Sequence, residues 1–305
     1  MVSAESEWID RFLSHLAHER RVSAHTTQAY GHDLRSLAAF AERRTLRRWV
    51  DIDHAEIRAF AAGLHGGGLS PRSIQRHLST ARTFYEFLMR EGHCGRNPAH
   101  GVRAPKAKKR LPATLDADQM GRLLAFRVDD SLSVRDKAIM ELFYSSGLRL
   151  SELTSLRVTA LDLQDRTVRV LGKGDKTRIV PVGRHAIDAL RVWLRERSRL
   201  VKPGGDSNWL FTGKSGRPLS VRAVQLRVDA WGRRQGIGIH VHPHMFRHSF
   251  ATHLLESSGD LRGVQELLGH ANIGTTQIYT HLDFQHLATV YEAAHPRGRR
   301  RRSGA

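Results

Sequence analysis

Six residues stand out for what their side chains can do: Arg149, Lys173, His244, Arg247, His270 and Tyr279. Their contexts are distinctive. "GLRLSEL" carries Arg149 with Glu152 three residues on, and "GKGDKTR" carries Lys173. "HPHMFRHSFATHLL" carries His244 and Arg247, and "LLGHANIGTTQIYTH" carries His270 and Tyr279. Taken together they are a cationic set with one tyrosine as a possible nucleophile. Each has an ordinary reading taken singly: a surface arginine, a histidine capping a helix, a tyrosine packed near a helix end.

Other chemistries lack their residues. His240, His242 and His244 alternate at the period of a strand, not at the i, i+4 spacing of a helical zinc site, and no clustered cysteines or carboxylates complete a coordination sphere. No Walker-type glycine loop is present, nor the tight carboxylate pair of a two-metal nuclease. No metal and no cofactor are therefore expected. The single cysteine, Cys94, excludes a disulfide framework. No run approaches the ~18 apolar residues of a membrane span. The first residues lack a basic stretch leading into an apolar one, so a soluble protein of the reducing cytoplasm is expected.

Charge names the class of partner. The chain has 305 residues with 49 Lys+Arg against 30 Asp+Glu, a formal net charge of +19. Residues 1–110 carry +8 and residues 111–305 carry +11, and removing the five tail arginines still leaves +14. The charge thus belongs to the folded parts, and nucleic acid is favoured over a merely solvated surface.

The elements that must position these residues read as mainly α with a small β-sheet, in two domains. Asn97–Pro112, with three prolines and a Lys/Arg run, is read as a basic linker. Before it lie amphipathic helices. The clearest has Ser70 as N-cap and Pro71 at its first position, and buries Ile74, Leu78, Ala81, Tyr85 and Leu88. Its other side presents Arg72, Gln75, Arg76 and Ser79 to a major groove or to solvent. An earlier helix, capped by Ser23, carries Tyr30, Leu34, Leu37 and Phe40 on a core stripe. After the linker, Thr114 or Asp116 caps a helix holding Met120, Leu123 and Leu124, and another runs from Val134 to Ser146 and stops at Gly147. Thr167–Leu171 and Arg178–Val182 form a hairpin with Lys173 in its turn. From Ser220 a helix buries Val221, Val224, Val228 and Trp231, leaving Arg222, Gln225 and Arg227 for a second groove contact.

In this order and spacing, the four quoted motifs resemble those of the tyrosine site-specific recombinases (the phage integrase family), and the resemblance covers nearly the whole chain. It implies a two-domain DNA clamp: residues 1–96 an all-α, SAM-like core-binding domain, 97–112 the linker, 113–295 an α+β catalytic domain, and 296–305 a basic tail. It implies that Tyr279 attacks a scissile phosphate, leaving a 3′-phosphotyrosyl bond and a free 5′-hydroxyl. Arg149 and Arg247 would hold the non-bridging oxygens, since planar guanidinium groups match them two at a time. His244 would accept the tyrosine proton, His270 would donate to the phosphate, Lys173 would protonate the leaving 5′-oxygen, and Glu152 would orient the site. The rejoining step would need no ATP because the covalent intermediate keeps the ester's energy. The resemblance also implies double-stranded DNA bearing a dif-like site, a XerD-type partner in a heterotetramer, and an FtsK-type translocase. The product would be chromosome and plasmid monomers at cell division. A terminal helix from about Asp283, with Phe284, Leu287 and Tyr291 on one stripe, would pack on its own domain or dock on a neighbour. Three rivals stay open at this point: a type IB topoisomerase, the integrase of a mobile element, and a non-catalytic DNA-binding protein.

Overall fold

A computed structural model describes residues 3–20, 22, 24–106, 114–172, 177–201, 208–268 and 294–296. The chain divides into two compact units, Met1–Arg110 and Leu111–Ala305. The described part of the first is helical: α1 (Ser3–His18), α2 (Ala24–Arg43), α3 (His54–Gly66) and α4 (Pro71–Arg90). Local chemistry sets the helix starts. Ser70 accepts from the Ser73 amide with Pro71 behind it, and Asp53 accepts from the Glu56 amide, each satisfying a first-turn donor that has no helical partner. The expected stripe of α4 is fully buried, from Ile74 to Leu88. Leu34 and Leu37 of α2 are buried with it, while Tyr30 and Phe40 are half-buried. Trp49 sits in the middle of this core. Its ring meets Phe84 edge-on at 4.9 Å, its Nε1 donates to the Glu5 carbonyl, and the Tyr85 hydroxyl donates to its carbonyl. Ser23, the cap expected for α2, lies outside the described residues.

The linker begins later than the prolines imply. The Asn97 side-chain amide donates to the Arg82 carbonyl, and Ala99 and Val102 are buried in the first unit's core. Burial of these small apolar residues makes 97–102 part of the helical unit, and residues 107–113, which include the basic Lys108, Lys109 and Arg110, lie outside the described residues.

The second unit holds α5 (Ala117–Leu124), α6 (Ser131–Ser146), α7 (Leu150–Thr154), β1 (Leu161–Asp162), β2 (Thr167–Leu171), β3 (Thr177–Pro181), α8 (Arg184–Leu200), α9 (Val221–Arg234), α10 (Pro243–Ser258) and α11 (Leu261–Leu268). Asp116 and Gln119 form a reciprocal cap for α5, and Asp130 caps α6, which therefore starts three residues before Val134. Helix α6 is buried almost all round and packs against α8 and α10, as befits the central helix of a domain. The strands form one antiparallel sheet in the order β1-β2-β3, with Val168 opposite Val180 and Val170 opposite Arg178. The first strand is as expected, the second starts and ends one residue earlier than the expected Arg178–Val182, the turn residues 173–176 lie outside the described residues, and β1 is an addition the sequence pattern did not mark.

Two expectations are overturned. His240, His242 and His244 do not lie on a strand: His242 is the N-cap of α10, Pro243 its first residue, and His244 its second. Proline at the first helical position decides this, because its missing N–H costs nothing there. Val221 is 42% exposed instead of buried, since the inward face of α9 is carried by Val224, Val228 and Trp231. Among the described residues no helix is long and apolar enough to cross a membrane, and no group of three or more His, Cys, Asp or Glu could hold a metal ion.

Candidate active site

The site is built where α6 ends. Gly147 stops the helix in the left-handed region at φ +56°, and a Cβ there would lie 2.5 Å from Phe250 Cδ1. The position therefore requires glycine on two counts, backbone angle and close approach. Leu148 is buried and anchors the turn, and Arg149 follows as the N-cap residue of α7. One turn on, Glu152 reaches back: it accepts from the Arg149 amide at 2.8 Å and from Arg149 Nη1 at 2.8 Å. The Arg149 side chain stays 37% exposed, so the carboxylate steadies it without burying it.

Glu152 has a second arginine. Arg178 of β3 donates from Nη1 and Nη2 to the two carboxylate oxygens at 2.9 and 3.0 Å. Burial pushes the Glu152 carboxyl up, but hydrogen bonds from Arg178 and the Arg149 amide outweigh it and hold the group below the usual carboxylate range. It is ionised at neutral pH.

Helix α10 brings a further arginine and the histidine. Arg247 donates from Nη1 to the Gly147 carbonyl at 2.6 Å and from Nη2 to the Leu268 carbonyl at 2.7 Å, tying α10 to the ends of α6 and α11. Burial first, and the nearby Arg149 charge second, push its guanidinium down to about 10, which leaves it charged at neutral pH. His244, one turn earlier on α10, is exposed. Partial desolvation and then the charges of His248, Arg247 and Arg149 hold it below the ordinary histidine value. It is thus a neutral imidazole at neutral pH, able to accept a proton, beside two fixed positive charges. Three guanidinium groups against one carboxylate leave the cluster doubly positive. An arrangement of this kind stabilises charge growing on an anionic oxygen.

Of the six residues picked out by type, the structure therefore brings together Arg149, Arg247 and His244, with Glu152. Lys173, His270 and Tyr279 lie outside the described residues, as do Phe284, Leu287 and Tyr291. Ala294 and His295 are described and buried: Ala294 packs with Phe250, Leu254 and Val264, and the His295 ring lies 4.9 Å from that of Tyr144. Arg178 was missed by reasoning from sequence, although it closes the same "GKGDKTR" run; the signal was a charged residue at an inward position of an alternating strand.

The proposed groove contacts divide. Arg72 and Gln75 are exposed on α4, Arg222 is exposed on α9 and Gln225 is half-buried. Arg76, though exposed, and Arg227 each also hold a buried carboxylate, which was not expected. Arg76 Nη1 donates to the buried Asp33 at 2.7 Å, pinning α4 to α2. Arg227 Nε donates to the buried Asp136, which also accepts from Arg135 and Trp231 Nε1. A carboxylate this deep is costly unless paired, so it recruits the nearest guanidinium.

Comparison with known proteins agrees with this architecture. Residues 113–286 match the phage integrase family, and residues 9–92 match the phage integrase N-terminal SAM-like domain. The chain belongs to the phage integrase family and is a tyrosine recombinase, a site-specific DNA recombinase whose helical unit precedes a catalytic α+β unit. Within that class it is XerC-like. It is 53% identical over 295 residues to the tyrosine recombinase XerC of Xanthomonas campestris pv. campestris, covering 97% of this chain and 90% of that one. It is 54% identical over 294 residues to the tyrosine recombinase XerC of Pseudomonas aeruginosa, covering 96% of each. The fold is shared with the crystal structure of the XerH site-specific recombinase bound to its difH substrate, at TM-score 0.67 and 21% identity over 88% of this chain and 79% of that one.

Proposed function

We propose that this recombinase binds double-stranded DNA at a dif-like site and exchanges strands through a covalent bond to Tyr279. The observation that carries the reading is the cluster of Arg149, Arg247 and neutral His244 at the end of α6. The two guanidinium groups hold the non-bridging oxygens of the scissile phosphate, where negative charge grows during attack. His244 takes the phenol proton as the Tyr279 oxygen attacks phosphorus. The ester bond to the 5′-oxygen breaks, Lys173 supplies the proton that leaves a free 5′-hydroxyl, and His270 donates to the phosphate. Glu152 keeps Arg149 in place. A 5′-hydroxyl from the partner strand then attacks the phosphotyrosine and releases Tyr279, with the bond count unchanged.

Exposed Arg72, Gln75 and Arg222, with Gln225, contact the duplex. The likeness to XerC proteins supports a XerD-type recombinase as the second member of a heterotetramer, with an FtsK-type translocase acting on it. The outcome is conversion of chromosome and plasmid dimers to monomers at division, in the cytoplasm. The test is a labelled duplex carrying a dif-like site with a nick beside the cleavage position, so that the cut strand diffuses away. Wild-type protein forms a DNA adduct that survives denaturing electrophoresis and Tyr279→Phe forms none. An adduct with Tyr279→Phe, or none with wild type plus a XerD-type partner, overturns the reading.

A further inference from the structure

Arg178 occupies a place where the sheet itself does not call for charge. Strand β3 alternates outward and inward, and Arg178 faces inward with Val180, opposite Val170 of β2. The side chain is only 8% exposed. A buried ion pair is in general no more stabilising than apolar residues of similar volume, so packing alone does not account for an arginine here. Its forked grip on Glu152 does. Glu152 Oε1 accepts from Arg149 Nη1 and Arg178 Nη1, and Oε2 accepts from the Arg149 amide and Arg178 Nη2.

The electrostatic consequence follows from counting charges. Glu152 next to Arg149 forms a neutral pair, which would weaken Arg149 as a ligand for a phosphate. Arg178 returns one positive charge from the protein side, where it is buried and shielded from water. It also joins β3, which starts four residues after Lys173, to the turn that carries Arg149. We infer that Arg178 is a positioning residue of the recombinase site: it offsets the charge of Glu152 and fixes the hairpin strand to the Arg149 turn. The inference rests on the strand-exchange reading above.

The test is single-turnover cleavage of the nicked dif-like duplex by the full chain, with Arg178→Gln and Arg178→Lys beside wild type. Misplacing a phosphate-binding group costs roughly 10²-fold in rate, and that is the deficit expected of Arg178→Gln, with duplex affinity unchanged. Arg178→Lys keeps the charge but loses the fork, and falls between the two. The pH dependence separates positioning from folding. Without Arg178, burial of Glu152 is opposed only by its bonds to Arg149, so its carboxyl titrates at a higher pH than in wild type and protonation removes the uncompensated charge. The ratio of Arg178→Gln to wild-type rate therefore rises as pH falls from about 8 to about 5.5. Arg178→Lys, with a thermal melt, covers the case in which the glutamine variant does not fold. Wild-type rates in the variants, or a deficit that is the same at every pH, overturn the inference. Failure of wild type to form an adduct overturns the strand-exchange reading instead.

Discussion

Replacing Gly147 with alanine strikes the turn that holds the site together. The residue sits at φ +56°, where an L side chain costs about 1–2 kcal/mol. The new Cβ would also lie 2.5 Å from Cδ1 and 2.8 Å from Cε1 of Phe250, a ring with no exposed surface. Moving a packed core ring typically costs about 1–3 kcal/mol. The total is about 2–5 kcal/mol, and at about 2–4 °C per kcal/mol for a domain of this size the melting temperature should drop by roughly 4–20 °C. Circular dichroism melts of the full chain measure it. Adding Phe250→Leu to the alanine variant should relieve the steric part and leave the backbone part. The Gly147 carbonyl is also an anchor of Arg247, so cleavage well below the melting point should fall by roughly tenfold or more. A Gly147→Ala protein that melts within about 1 °C of wild type would refute the whole chain of reasoning.

Acid should loosen the catalytic unit through its histidines. His242, His244 and His253 are all held below the ordinary value of 6.5, partial desolvation being the first cause in each. The unfolded chain therefore binds protons that the fold resists, and stability falls as pH drops below about 6.5 toward 5. Melting curves across that range check this, and His253→Gln, which replaces the partner of the Tyr144 hydroxyl, should flatten the slope. Salt titrations of duplex binding test the divided groove contacts. Arg72→Gln and Arg222→Gln should each reduce the slope of log affinity against log salt by ~0.9, whereas Arg227→Gln, whose guanidinium serves Asp136, should leave the slope unchanged.

Most of what was readable from the sequence is governed by neighbours in the chain. Ser70 with Pro71, Asp116 as one of two candidates beside Thr114, and Gly147 mark helix ends because a cap bonds to amides three residues away or needs a backbone angle only glycine adopts readily. The hairpin was legible through period-two alternation, with its second strand read as Arg178–Val182 and found at Thr177–Pro181. The motifs around Arg149, His244 and Arg247 were legible as residue types. That Gly147 and Leu268 would offer their carbonyls to Arg247, 100 and 21 residues away, was not.

What the amino-acid sequence determined by itself is thus the helical character, the hairpin, the excess of positive charge and the set of chemically capable residues. Tertiary structure alone decided which carboxylate each of three arginines is tied to. Arg76 meets Asp33 across 43 residues, Arg227 meets Asp136 across 91, and Arg178 meets Glu152 across 26. Periodicity reports which way a side chain points, but a buried carboxylate takes whichever guanidinium the fold brings within reach, because leaving it unpaired costs more than immobilising the arginine.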